Sequence, residues 1–444
     1  MNAIRLFAAA VFAAAVGAFS SAQAAERTVV VVLFDGFAPA MVKATDTPNL
    51  DRMAREGVSS NHLIPAFPTI SLTNHTTFET GCWPIHHGVV SNSFIDPKKG
   101  HFHEAADADW HTGCEAIWEA AERQGVRAAA LNFVGRWSSE RGKLATYINP
   151  QVPWKDSPSD DDILKQALKL LADNGPDHPR LIAIYFRGPD NAAHYNGTTS
   201  EKALEATRYS DSLVGKLMAG IKALPPGREG TLVVGTDHGM MDVGPLINIG
   251  RIMNEYNIKA RQASSGASAF LYLDKGESIE RVENVLSKFK FAFDVYRKGH
   301  FPTYSHLGTG PRVGDLLLVA KPPYWLEGPE AFPGWAHYLG ITTIWPETFT
   351  PFVGGVKATH GYDPKIPQMH GIFYAWGSGI APGKTLPKLN EVDVHPTVMA
   401  LLGLQPGLQV DGHIVRPALT EPPPPPQPID IEEPRTRTPE PEKK

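Results

Sequence analysis

Three continuous apolar runs within the first 240 residues predict the central strands of a sheet. They span residues 29–34, 181–186 and 231–235, and each is rich in valine, isoleucine or leucine. Uninterrupted runs of this kind are typical of parallel strands that are buried on both faces. Between the strands, residues 113–124 and 161–174 repeat apolar positions at three- and four-residue spacing, which predicts helices. The alternation favours a doubly wound α/β fold with a mainly parallel sheet and helices on both faces.

From residue 254 to 351 the pattern changes, and we interpret this segment as an inserted capping subdomain. It holds apolar runs at 269–273 and 315–319 and an amphipathic stretch at 277–289. The catalytic core is then predicted to comprise two parts, residues 25–253 and 352–420.

Both ends of the chain differ in composition from the rest. Residues 1–24 carry Arg5, then an apolar run, then Ala22-Gln23-Ala24, which is the pattern of a secretory signal peptide. The alternative is a membrane anchor, but the run is shorter than the roughly 20 residues that a spanning helix needs. We therefore predict a periplasmic or secreted protein with no stable membrane insertion after cleavage. Residues 421–444 are rich in proline and charge, which predicts a disordered tail.

Composition narrows the class of protein further. With 444 residues and 42% hydrophobic content the chain can bury a large core. The net charge of -5 argues against a nucleic-acid polymer as partner. The two cysteines, Cys82 and Cys114, could pair in an oxidising compartment, but the sequence does not decide whether they do.

Acidic and histidine side chains follow the predicted strands or lie in a late Asp/His-rich segment. In chain order they are Asp35, Asp190, His194, Asp237, His238 and His360. In open parallel sheets the ligand site lies beyond the carboxyl ends of the strands, so we expect these side chains to gather there. Mixed carboxylate and imidazole ligands favour zinc over calcium or magnesium. The number of ligands suits two adjacent ions and predicts a metallohydrolase.

Taken singly, each of these residues also has a structural interpretation. Asp190 could cap a helix, His194 could be an exposed polar residue, and residues 237–239 could form a turn. Their joint occurrence after predicted strands favours the metal site.

Residues 67–75 hold the candidate nucleophile. The segment contains three hydroxyl side chains, Thr69, Ser71 and Thr73. A hydroxyl becomes a competent nucleophile when a metal lowers its pKa or a helix N-terminus favours its alkoxide. Helix capping is the alternative, and it is compatible with catalysis because the first turn of a helix presents N–H groups to an anion.

The segments described so far resemble the motifs of the nucleotide pyrophosphatase/phosphodiesterase family of the alkaline phosphatase superfamily. The resemblance runs from about residue 29 to residue 404, and it rests on five motifs in the family's order. They are Asp35-Gly36, residues 67–75, residues 189–194, residues 237–240 and residues 360–363.

The resemblance implies a site with two zinc ions. One ion is expected on Asp190, His194 and His360, and the other on Asp35, Asp237, His238 and the oxygen of Ser71. Ser71 stands at the position of the family's nucleophilic threonine. Asn92 matches the residue that contacts a nonbridging phosphate oxygen.

Two further positions are implied to contact the substrate. Tyr185 matches a position whose ring stacks on a nucleobase, although packing inside the strand remains open as an alternative. Leu72 and Thr73 replace the family's Phe-Pro, which removes an aromatic ring near the nucleophile and leaves specificity for nucleotides open.

The resemblance therefore implies a secreted two-zinc phosphodiesterase or nucleotide pyrophosphatase that acts on a small-molecule diester through a covalent intermediate on Ser71. The alternative within the superfamily is a phosphomonoesterase. A sulfatase is disfavoured, because residues 71–74 lack the pattern that directs modification of that family's nucleophile. A non-catalytic binding module is also disfavoured, because no ligand position is lost.

Overall fold

The structure is a computed structural model that describes residues 26–102, 107–150, 152, 156–327, 344–345 and 356–420. The predicted signal peptide, residues 1–24, and the predicted tail, residues 421–444, lie outside the described residues.

Nine strands form the main sheet. In chain order they are β1 (Glu26–Phe34), β2 (Val58–Ile64), β3 (Ala128–Leu131), β4 (Tyr147–Ile148), β5 (Leu181–Phe186), β6 (Arg228–Thr236), β7 (Gly371–Gly377), β8 (Lys384–Thr385) and β9 (Leu389–Asn390). The order across the sheet is β8-β2-β7-β6-β1-β5-β3-β4, and β9 also pairs with β2. Only β7 runs antiparallel to its neighbours. The predicted mainly parallel α/β fold is confirmed, and the three predicted strands are β1, β5 and β6.

The described residues contain eleven α-helices. They are α1 (Pro39–Ala44), α2 (Pro48–Glu56), α3 (Ser71–Thr80), α4 (Pro84–His87), α5 (Ile117–Arg123), α6 (Asp160–Leu171), α7 (Asp190–Asn196), α8 (Glu201–Lys222), α9 (Ile249–Glu255), α10 (Ile279–Leu286) and α11 (Val394–Leu402). The two predicted helices are α5 and α6. Helix α6 begins where the sequence provides a cap, because the side chain of Ser159 accepts from the backbone N–H of Asp162. No helix of the described residues is both long and apolar enough to cross a membrane.

Both faces of the main sheet are buried, which explains the continuous apolar runs. Successive side chains of β1 point to opposite faces. Val29, Val31 and Leu33 pack in one core cluster with α5 and α11. Their neighbours, including Val30 and Val32, pack in a second cluster with α2, α6 and α8.

A second, antiparallel sheet lies between β6 and β7 in the chain. Its strands, in spatial order, are Ala260–Ser265, Ser268–Leu273, Leu316–Ala320 and Phe293–Arg297. Helix α10 contributes Val282 and Leu286 to the same buried cluster as the sheet. A three-stranded sheet, Trp325–Glu327, Leu246–Asn248 and Ile344–Trp345, adjoins it. The chain therefore leaves the main sheet directly after β6, before residue 254.

The remaining short strands form pairs. They are Met241–Asp242 with Ala358–Thr359, Phe94–Asp96 with Gly100–Phe102, and Trp137–Ser138 with Gly142–Lys143. The first pair is antiparallel and brings the segment after β6 beside the segment that ends in His360.

The two cysteines form a disulfide between Cys82 and Cys114, with Cα atoms 6.7 Å apart. Cys82 follows Gly81, the residue in left-handed conformation that ends α3. The bond therefore ties the end of this helix to the loop before α5.

We expect loss of this disulfide to lower stability. A cross-link between residues 32 apart constrains the unfolded chain, which stabilises a protein by about 3 kcal/mol. Replacing both cysteines with alanine should lower the free energy of unfolding by about this amount in a urea titration. The parent protein unfolded in a reducing agent serves as the control and should match the double variant. Equal stability of the parent with and without reductant would contradict the pairing.

Candidate active site

The register of the main sheet brings three carboxylates to one edge. The last residues of β6, β1 and β5 are paired in register. Asp35 and Asp237 are therefore the first residues beyond adjacent strands, and Asp190 follows a short turn at the start of α7. Gly36, with φ +60°, permits this approach, since a Cβ there would lie 2.7 Å from Asp190 Oδ1. Glycine is the residue that fits both the conformation and the space.

Six predicted ligand residues meet at this edge in two clusters. The first cluster consists of Asp190, His194 and His360, and the second of Asp35, Asp237 and His238. Within each cluster the candidate ligand atoms lie within 4.8 Å of one another. The rings of His238 and His360 stack with centroids 3.7 Å apart, so the two clusters adjoin.

All three histidines are oriented by backbone carbonyl groups. A carbonyl oxygen only accepts, so each Nδ1 donates. The acceptors are Ala358 O for His194 at 2.7 Å, Thr69 O for His360 at 2.9 Å and Gly239 O for His238 at 2.9 Å. In a neutral imidazole the Nε2 lone pair is then directed into the cluster, which is the usual arrangement of a metal-binding histidine.

The first cluster suits a cation. The Nε2 atoms of His194 and His360 lie only 3.1 Å apart. Burial, reinforced by His238 and His194, holds the pKa of His360 well below its usual value. Asp190 Oδ1 lies 3.4 and 3.8 Å from these two nitrogens, and within the described structure it is buried and accepts no hydrogen bond. Lone pairs that converge in this way are the donor set of a zinc-type ion.

Burial and neighbouring charges shift the pKa values of the three carboxylates in different directions. Burial, together with the nearby Asp237 and Asp190, raises the pKa of Asp35 well above its usual value. Burial also pushes the pKa of Asp190 and Asp237 upward, but the facing imidazoles outweigh it, so both pKa values are lowered. A cation between the three would favour the charged form of each.

Ser71 is the first residue of α3, and its hydroxyl lies at the second cluster. Its Oγ is 3.2 Å from His238 Nε2 and 3.5 Å from Asp35 Oδ1. Thr69 is fully buried, and its Oγ1 donates to the carbonyl of Tyr362. The structure therefore places the hydroxyl of Ser71, and not that of Thr69, beside the candidate metal ligands.

Two residues fix the loop before Ser71: Asn74, which sequence analysis did not single out, and Thr69, which it named only as a hydroxyl residue. The side chain of Asn74 accepts from Ala66 N at 2.7 Å and donates to the carbonyls of Ala66, Pro68 and Ile70. The carbonyl oxygen of Thr69 accepts a hydrogen bond from Nδ1 of His360, and its Oγ1 accepts one from the backbone N–H of Gly361. Their position in the 67–75 segment was the only sequence signal that pointed to them. The sequence does not show their contacts, because most of their partners are backbone groups.

Asn92 lies beside the start of α3. Its Oδ1 accepts from the backbone N–H of Leu72 at 2.8 Å. This bond fixes the amide so that Nδ2 is directed elsewhere. Leu72 itself is half-buried and packs against the apolar cluster that contains Phe67 and Val90.

The structure does not support the prediction that Tyr185 stacks on a nucleobase. The side chain is 1% exposed, and its ring contacts His75 with centroids 4.4 Å apart. Its hydroxyl donates to Asp35 Oδ2 at 2.6 Å. A ring that is buried in the core cannot stack on a base. The alternative, in which Tyr185 packs within the sheet, therefore fits the structure.

One turn of the second sheet contacts the site through backbone groups. Between its first two strands, Ala267 donates its N–H to the carbonyl of His360 at 3.0 Å. Gly266, with φ +57°, precedes it, and a Cβ there would lie 2.4 Å from the same carbonyl oxygen. Ser265 Oγ lies 3.4 Å from Ser91 Oγ, next to Asn92. The turn therefore braces both a candidate ligand and the segment that carries Asn92.

Comparison with known proteins finds a family of phosphodiesterases and pyrophosphatases. A family model described as type I phosphodiesterase / nucleotide pyrophosphatase matches residues 29–363. Ectonucleotide pyrophosphatase/phosphodiesterase family member 7 from Homo sapiens is 28% identical over 417 residues, which cover 91% of this chain and 86% of that protein. A bis(5'-adenosyl)-triphosphatase from Mus musculus is 26% identical over 394 residues, with coverage of 87% and 80%.

Solved structures show the same fold. Murine ectonucleotide pyrophosphatase / phosphodiesterase 5 has a TM-score of 0.74 at 23% identity, covering 87% of this chain and 97% of that one. An inactive variant of that protein, solved in complex with AMP, gives the same values.

Proposed function

This chain belongs to the type I phosphodiesterase / nucleotide pyrophosphatase family, and on that premise we propose that it hydrolyses phosphodiester or pyrophosphate bonds with Ser71 as nucleophile. The position of the Ser71 hydroxyl carries the proposal. Its Oγ stands at the N-terminus of a ten-residue helix, 3.2 Å from His238 Nε2 and 3.5 Å from Asp35 Oδ1. The helix dipole favours negative charge at that end, which suits an attacking alkoxide.

Two zinc ions are the proposed cofactors. Asp190, His194 and His360 would hold one ion, and Asp35, Asp237, His238 and the Ser71 oxygen the other. When bound, such ions lower the pKa of a hydroxyl or water and neutralise charge on the transferred group.

The proposed reaction has two steps, attack by Ser71 and hydrolysis of the resulting ester. Ser71 Oγ forms a bond to phosphorus as the bond to the leaving oxygen breaks, and the leaving oxygen takes up a proton. Water then cleaves the seryl ester and returns the hydroxyl of Ser71. Because phosphoryl transfer needs mainly positioning and charge neutralisation, the rigid loop held by Asn74 and Thr69 contributes directly to the rate.

Asn92 is the proposed donor to a nonbridging oxygen. Since Leu72 N–H occupies its Oδ1, Nδ2 is the atom that remains for the substrate. An amide donor suits a diester, which carries one negative charge less than a monoester.

A nucleotide or a related small diester is the proposed substrate. Relatives named as pyrophosphatases and a bis(5'-adenosyl)-triphosphatase support this class, as does the AMP complex of a structural neighbour. With Leu72 beside the nucleophile and Tyr185 enclosed in the core, neither of these side chains offers an aromatic surface to a base.

Export to the periplasm or the exterior is the proposed location. The pattern of residues 1–24 supports it. The disulfide between Cys82 and Cys114 is consistent with an oxidising compartment.

The first prediction concerns bond type and metal dependence. Zinc-loaded protein should cleave p-nitrophenyl thymidine monophosphate much faster than p-nitrophenyl phosphate, because the proposed side-chain donor to the phosphate, Asn92, is neutral. Chelation should abolish both activities, and zinc, but not calcium, should restore them. Faster release from the monoester would instead support a phosphomonoesterase.

The second prediction concerns Ser71. Ser71→Ala should lower the turnover of the diester by about 1,000-fold or more, because it removes the proposed nucleophile. Ser71→Thr keeps the hydroxyl and serves as the matched control, with activity near that of the parent. Zinc content measured by mass spectrometry should be largely retained in both. Parent-like turnover by Ser71→Ala would sink the assignment.

The third prediction concerns Asn92. Asn92→Asp keeps an oxygen that can accept from Leu72 N–H but replaces the donor with a second acceptor. Loss of one preorganised donor costs about 100-fold in turnover, so Asn92→Asp and Asn92→Ala should both lose about that much. Steady-state kinetics on the diester checks this. If Asn92→Asp retains full turnover, Asn92 acts only through its bond to Leu72.

A further inference from the structure

Two buried rings lie beside the carboxylates of the second cluster. The hydroxyl of Tyr185 donates to Asp35 Oδ2 at 2.6 Å. His75 Nε2 lies 3.4 Å from Asp237 Oδ2. Both side chains are at most 2% exposed, and their rings contact each other with centroids 4.4 Å apart. Each ring therefore faces one carboxylate of the same cluster.

The hydroxyl of Tyr185 determines which oxygen of Asp35 faces the site. Asp35 Oδ2 is occupied by Tyr185, whereas Oδ1 lies 3.5 Å from both Ser71 Oγ and His238 Nε2. In this bond the phenol hydroxyl is the donor and the carboxylate oxygen is the acceptor. The carboxylate is thus turned with one fixed oxygen toward the nucleophile.

His75 lies in the same way beside one oxygen of Asp237. Asp237 Oδ1 accepts from the backbone N–H groups of Gly36 at 3.0 Å and His238 at 2.8 Å. Its Oδ2 lies 3.4 Å from His75 Nε2 and 3.4 Å from His238 Nε2. Neither ring nitrogen of His75 has a hydrogen bond within the described structure. A buried imidazole without other partners is costly, and the carboxylate of Asp237 is the group that it faces.

We propose that Tyr185 and His75 are positioning residues that hold Asp35 and Asp237 in the geometry that binds the second metal ion, without contacting the substrate. The proposal rests on the proposed two-metal site and deepens it. Partners of this kind behind metal ligands typically raise metal affinity or activity by 10- to 100-fold. The affinity of the second cluster is thus set in part by a residue of β5 and a residue of α3.

The test measures zinc binding directly. Parent and Tyr185→Phe proteins are equilibrated in buffers of defined free zinc, and bound zinc per chain is determined by mass spectrometry. Phenylalanine keeps the ring packing and removes only the hydroxyl. We expect one of the two ions to bind about 10- to 100-fold more weakly and the other to bind as in the parent.

Tyr272→Phe is the matched control. The hydroxyl of Tyr272 is also buried, donates to Arg312 O at 2.7 Å and accepts from Ile95 N at 3.1 Å, but it contacts neither cluster. Its loss should leave both zinc affinities unchanged. Unfolding of the metal-free proteins shows whether the two phenylalanine variants differ in general stability.

A second pair of variants tests His75. His75→Gln retains a side-chain donor, whereas His75→Leu has none, so glutamine should keep more of the second-site affinity than leucine. His395→Gln is the control for loss of a buried imidazole, since both nitrogens of His395 bond to backbone groups of residues that belong to neither cluster. It should lower stability in the metal-free state without changing zinc binding.

The outcomes separate this inference from the proposed function. If the parent binds two zinc ions and Tyr185→Phe and His75→Leu bind them equally well, the positioning roles are refuted and the proposed function stands. A higher KM for the diester in Tyr185→Phe, with unchanged zinc affinity, would show a substrate contact instead. If the parent binds no second ion, the two-metal site fails and this inference fails with it.

Discussion

Repulsion among three carboxylates at one edge of a sheet is the constraint on which the rest of this structure depends. The in-register ends of β6, β1 and β5 bring Asp35, Asp237 and Asp190 together in a buried place. Like charges so placed cannot all ionise unless positive charge lies between them. Burial, together with the nearby Asp237 and Asp190, raises the pKa of Asp35 well above its usual value. A cation between the three carboxylates would relieve this repulsion.

The precision of the site comes mainly from backbone groups. Carbonyl oxygens accept from Nδ1 of all three histidines, and this fixes the direction in which each Nε2 points. Thr69 links the loop before Ser71 to His360, and Asn74 holds the loop itself. Because the contact with His360 joins segments that are distant in the sequence, Ser71 and the candidate ligands are positioned relative to one another and not merely within their own loops.

Much of the site was predictable because its ligands follow recognisable strands. Asp35 and Asp237 directly follow apolar runs, and parallel strands place such residues at a common edge. Tyr185 was misassigned because a run that is buried on both faces does not reveal what each side chain meets. The roles of Thr69 and Asn74 were not predictable, since their partners are backbone atoms whose positions depend on the complete fold. The pairing of Cys82 and Cys114 likewise required the distance between them.

The turn at Gly266 and Ala267 has a consequence for how such an enzyme can diversify. Side chains of the second sheet fill two buried clusters that include no strand of the main sheet, but one of these clusters also contains Phe67. The turn of this sheet rests on the carbonyl of His360, where even a Cβ on Gly266 has no room. A chimera that exchanges this sheet with that of a relative must therefore conserve both the turn and the packing against Phe67, or it displaces the segments that carry His360 and Ser71.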